Sequence, residues 1–145
     1  EGETINTPSM LATEDYIASL EWAKSIGGRK ALIERATANA RIVKEWIEAT
    51  PWLRNMASDP AQQTNTGVCM MFQGDWYESL SAEDQAAVPK KIVKLLEERN
   101  VGFDFNGYRD APPSLRIWCG STVEQEDIKR LLPWIEWAYE KVKNG

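Results

Sequence analysis

The sequence predicts an α+β domain, a small and mostly antiparallel sheet with helices packed on one face. Apolar residues at helical spacing dominate both ends of the chain, and short apolar runs of strand length lie between them. The order these give is helix, helix, strand, strand, helix, strand, strand, helix, and paired helices followed by mixed elements favour one sheet with a helical layer. At 145 residues and 43% hydrophobic content the chain suffices for one core, and no linker interrupts it, so residues 1–145 are expected to be a single domain.

Asn6-Thr7-Pro8-Ser9 begins the first element, with three N-cap residue types around a proline suited to a helix's first turn. Met10, Ile17, Leu20 and Trp22 form a loose stripe that ends at Gly27-Gly28, while Thr13-Glu14-Asp15 offers a second start. Leu32, Ala36, Ala40, Val43 and Ile47 define a clearer second helix, stopped by Thr50-Pro51. Residues 52–56 and 67–72 read as strands joined by a polar loop, 57–66. Ser81 opens an acidic first turn, and Val88, Ile92, Leu95 and Leu96 carry a helix to about Asn100; Pro89 offers a later start. Residues 101–105 read as a short strand, followed by a loop and a second strand around Arg116. Thr122-Val123-Glu124-Gln125 has the capping-box pattern, ahead of a helix with Ile128, Leu131, Ile135, Ala138 and Val142 on one face. Pro133 predicts a kink or a split in it.

Composition narrows the function. A net charge of −5 without a basic stripe argues against nucleic acid and membrane surfaces. No apolar run approaches the roughly 20 residues of a membrane span. With no histidine and two cysteines, a zinc site is not expected. Cys69 and Cys119 sit in apolar strand-like settings and read as buried free thiols of a reducing cytoplasm. Most of the seven tryptophans are expected in the core.

The run 107–120 sets Arg109 and Arg116 around Pro112-Pro113 and feeds Arg116 into Leu115-Arg116-Ile117-Trp118-Cys119. Strand alternation puts Leu115, Ile117 and Cys119 on one face and Arg116 and Trp118 on the other. A guanidinium among bulky apolar neighbours is costly to desolvate unless an anion pairs with it, and its planar fork suits a carboxylate or phosphate. The pattern equally allows an arginine on a solvent face or one paired with an internal Asp or Glu. Asn6-Thr7 ahead of a helix is a candidate phosphate site, since free N–H groups and the helix dipole favour an anion; an ordinary N-cap has the same pattern.

Taken together, Asn6-Thr7-Pro8-Ser9, the helix after it, Gly27-Gly28, Gly107-Tyr108-Arg109 and Leu115-Arg116 resemble the C-terminal part of the phosphoserine aminotransferases. These are pyridoxal-phosphate enzymes of the class V aminotransferases, with fold type I. Residues 5–11, 21–28 and 108–120, with Pro133-Trp134-Ile135-Glu136-Trp137-Ala138, are most similar to the branch typical of alphaproteobacteria. The resemblance implies a cytoplasmic homodimer in which Asn6 and Thr7 reach the cofactor phosphate bound mainly by the partner subunit. It implies that Arg116 grips the substrate α-carboxylate and that Arg109 lies near the substrate's phosphate or distal carboxylate. Many relatives have histidine where this chain has Tyr108, and Arg109 is open to two other readings, a surface arginine or an ion pair with Asp110.

The resemblance also implies a Schiff-base lysine. Lys24, Lys30, Lys44, Lys90, Lys91, Lys94, Lys129, Lys141 and Lys143 all fall on predicted helices or their ends among polar neighbours, so none fits that role. No catalytic residue is therefore expected in this chain, which begins at Glu1 like the middle of a longer polypeptide and alone should not transaminate. The implied reaction moves an amino group between glutamate and 3-phosphohydroxypyruvate, a step of serine and pyridoxine biosynthesis. Two alternatives are another class V aminotransferase and a non-catalytic α+β domain that binds small anions or partners.

Overall fold

Residues 7, 9–108 and 110–145 are described by the computed structural model. Helix α1 (Met10–Ser25) starts at Ser9, whose Oγ accepts from the Ala12 N–H at 3.3 Å. It meets α2 (Gly28–Ala49) at a corner where Gly27 and Gly28 have φ of +112° and +68°, values that suit glycine. Strands β1 (Leu53–Asn55), β2 (Gly67–Phe72) and β3 (Ser114–Trp118) form one antiparallel sheet in that order. A 3₁₀ turn (Pro60–Gln62) interrupts the loop between β1 and β2. Between β2 and β3 lie the short α3 (Asp75–Glu78) and α4 (Ala82–Glu98), and α5 (Gln125–Lys143) closes the chain.

The core lies between one face of this sheet and α2, α4 and α5. Leu53 faces Phe72, Met70 faces Leu115 and Val68 faces Ile117 across the ladders, all with 4% exposure or less. Val43 and Ile47 of α2, Ile92 and Leu96 of α4, and Ile135 and Ala138 of α5 close over them. Trp52 stacks on Tyr139 with ring centroids 3.7 Å apart. The α+β architecture with helices on one sheet face is thus as the sequence predicts.

Four local expectations need correction. Residues 101–105 form no strand, because Asp104 takes φ +61° and breaks the extended run; what remains is a bridge, Asn106 to Leu115, and an Arg116 N–H donating to the Phe105 carbonyl at 2.8 Å. Pro89 does not begin α4 but lies buried inside it. The carbonyl it leaves without a helical donor, that of Gln85, accepts from Tyr77 Oη at 3.4 Å. Of the kink or split predicted at Pro133, the split is excluded, since α5 runs on as one helix; Pro133 and Lys129, whose carbonyl it frees, are both exposed, so water can serve that group. The Thr122–Gln125 capping box does not form either. The N-cap is Glu124, whose carboxylate is paired with Arg35 instead of the backbone.

Most of the tryptophans pack on the core as expected, but none is fully buried. Trp46, Trp52, Trp76 and Trp137 pack on the core only partly buried, whereas Trp22, Trp118 and Trp134 are exposed. The predicted stripe of α1 touches α2 but is not buried by it: Met10, Ile17, Leu20 and Trp22 are all exposed, with Leu11 and Tyr16 beside them.

Candidate functional site: the Arg116 face of the sheet

Alternation along β3 separates two chemistries. Leu115, Ile117 and Cys119 point into the core with 2% exposure or less, while Arg116 and Trp118 emerge on the other face. Burial pushes the Cys119 thiol up to about 11, so it is protonated and inert at neutral pH. Cys69, in register with Arg116 on β2, is half-buried; burial raises its pKa and the guanidinium opposes that only in part.

The Arg116 side chain keeps about a fifth of its surface exposed, 22%. Its Nη2 donates to Asp104 Oδ2 at 2.9 Å, and its Cζ lies 5.0 Å from the centroid of the Tyr108 ring. An open cavity of about 440 Å³ adjoins it, walled by Phe103, Phe105, Trp118, Val123 and Leu131. Its walls are apolar apart from Arg116, Asp104 and Asp127. This is a surface on which a small organic anion could be gripped at its charged end and packed along its length.

Of the sequence-derived site residues, the structure thus places Arg116 at a cavity, with an internal carboxylate as its present partner. Thr7 is exposed, two residues before the cap of α1, and makes none of the contacts around Arg116. Asn6 and Arg109 lie outside the described residues. Asp104 and the stacking role of Tyr108 are additions that sequence reading missed. The usable signal was an acid in the apolar run Val101-Gly102-Phe103-Asp104-Phe105, one strand away from an arginine in a similar run.

The lysines are placed as the sequence suggests. Eight are exposed on helices; Lys44 is half-buried on α2. None is enclosed in the kind of buried site that a Schiff-base amine needs.

The chain superposes on part of phosphoserine aminotransferase from Bacillus circulans subsp. alkalophilus with a TM-score of 0.75, over 94% of this chain and 34% of that one. At 18% identity that likeness concerns the fold alone. Sequence carries the relationship further. Phosphoserine aminotransferases of Methanosarcina mazei and Methanosarcina barkeri are each 46% identical over 143 residues, 99% of this chain and 36% of the relative. That of Phocaeicola vulgatus is 25% identical over 142 residues. No protein-family model matches. The chain is thus similar to one segment of these phosphoserine aminotransferases, and it spans about a third of the length of the curated relatives it matches.

Proposed function

We propose that residues 1–145 are the C-terminal small domain of a longer phosphoserine aminotransferase, whose large domain carries the catalytic lysine. The complete enzyme would transfer an amino group between glutamate and 3-phosphohydroxypyruvate as a cytoplasmic homodimer. The single observation that carries this reading is Arg116, a guanidinium on a sheet face beside an apolar cavity, in a chain 46% identical to enzymes of that name. Pyridoxal phosphate supplies the electron sink in such enzymes. The described residues do not themselves form a site for it, since no lysine is suitably buried and Thr7 is exposed. Asn6 and Thr7 would instead reach the phosphate of a cofactor held mainly by the other subunit.

In this reading the domain's task is orientation. Arg116 receives the α-carboxylate of either amino acid in two parallel hydrogen bonds, fixing the substrate so that its Cα–H can align for deprotonation. Trp118 and Phe103 keep water from one side of the bound carboxylate, which strengthens the pair. Arg109 would stand near the distal phosphate or carboxylate.

Transamination by the complete polypeptide tests the assignment. Glutamate and 3-phosphohydroxypyruvate should yield 2-oxoglutarate and phosphoserine, with unphosphorylated hydroxypyruvate much poorer. A preference for an unphosphorylated acceptor would assign the chain to another class V aminotransferase. Tyr108 gives that second reading some support, because a phenol supplies no positive charge where many relatives have histidine.

A further inference from the structure

Asp104 is a surface aspartate in an uncommon backbone conformation. Its φ of +61° lies in the left-handed region, which non-glycine residues rarely adopt and which Asp and Asn tolerate best. The bend it makes ends the extended run beside β3 and turns its carboxylate onto Arg116. The contact is a single hydrogen bond, Nη2 to Oδ2 at 2.9 Å, so the guanidinium's other donors are not used by Asp104. The two partners differ sharply in exposure: the Asp104 side chain is 83% exposed and the Arg116 side chain 22%. The arginine is the more enclosed partner, with the Tyr108 ring across it, whereas the exposed aspartate can swing into water at little cost.

We propose that Asp104 is a positioning residue that acts as a tethered stand-in for the substrate carboxylate. This rests on the reading of Arg116 as the carboxylate grip. In the empty site Asp104 neutralises the partly buried guanidinium and holds its fork towards the cavity. A substrate carboxylate then displaces it by making two bonds where Asp104 makes one. Binding is thereby an exchange of one carboxylate for another, so every incoming anion has to compete with Asp104 for the fork. The unliganded arginine never stands unpaired in its apolar surroundings.

The test uses steady-state kinetics of the complete enzyme with Asp104→Asn, which keeps the left-handed preference and removes the charge. KM for glutamate should fall about two- to fivefold, the range spanned by a partly exposed ion pair, while kcat moves less than KM. Asp104→Glu, which restores the charge, should return KM towards the parent value. A KM that is unchanged or raised in Asp104→Asn overturns the proposal, and a lowered melting temperature alone marks Asp104 as merely structural. Arg116→Ala separates the two levels. If it leaves KM unaltered, the reading of Arg116 fails; if it raises KM while Asp104→Asn does not lower it, only the exchange fails.

Discussion

The two faces of the three-stranded sheet are made by the same strands and held by different physics. On the inner face Leu115 and Ile117 meet Met70 and Val68 at full burial, under three helices. On the outer face Arg116 and Cys69 are half-buried, Trp118 is 60% exposed, and among the described residues Arg116 is held by an ion pair with the exposed Asp104 and by the Tyr108 ring. The inner face is complete within these residues, and its side chains could be replaced only at a cost in stability. The outer face has apolar rings and a guanidinium but little that covers them, so its side chains are free to serve recognition. Helix α1 repeats the outer pattern, with a row of apolar side chains and no buried residue.

Substitutions should divide along this line. Ile117→Ala, at 2% exposure, should cost about 2–5 kcal/mol of unfolding free energy in a denaturant titration. Next is Gly102→Ala, whose Cβ would sit 2.5 Å from the Phe105 ring; displacing that 7%-exposed ring should cost about 1–3 kcal/mol. Trp118→Ser, on the outer face, should change stability by no more than about 0.5 kcal/mol. A loss as large as that of Ile117→Ala would mean the outer face is a second core and would end the contrast.

A pH scan sharpens the same contrast at its inner edge. The Cys119 thiol is raised to about 11 in the folded chain, above its ordinary value of 9.0. Folding therefore favours the protonated thiol: its contribution is fully present below pH 9.0 and is lost as pH rises through about 11. The melting temperature of the parent should fall across that window more steeply than that of Cys119→Ala. Parallel profiles would show that the thiol is not held in an apolar site.

Much of this was legible in the sequence, and what was not has local causes. The 3.6-residue stripes of α2, α4 and α5 and the alternation of β3 are strong because each element buries one face, which imposes periodicity on the residues that do it. The strand expected at 101–105 failed at a single φ, and hydrophobic pattern carries no information on whether an aspartate will turn left-handed. The prolines are accommodated by surroundings that a local pattern does not carry: the Tyr77 hydroxyl compensates for Pro89, and solvent exposure of Lys129 does so for Pro133. At the site, Arg116 was visible as an arginine out of place. Asp104 was not, since an ion pair between a loop and a strand twelve residues on has no sequence period.

Whether Arg116 serves substrate and not the fold, as proposed, is tested by one pair of numbers from Arg116→Ala. In the complete enzyme, kcat/KM for glutamate should fall by an amount equivalent to about 2–4 kcal/mol, from loss of the charge-assisted contact. Unfolding free energy should change by less than about 1 kcal/mol, because the ion pair lost is with an exposed aspartate. Unchanged kinetics together with a large loss of stability would contradict the account and make Arg116 a structural residue.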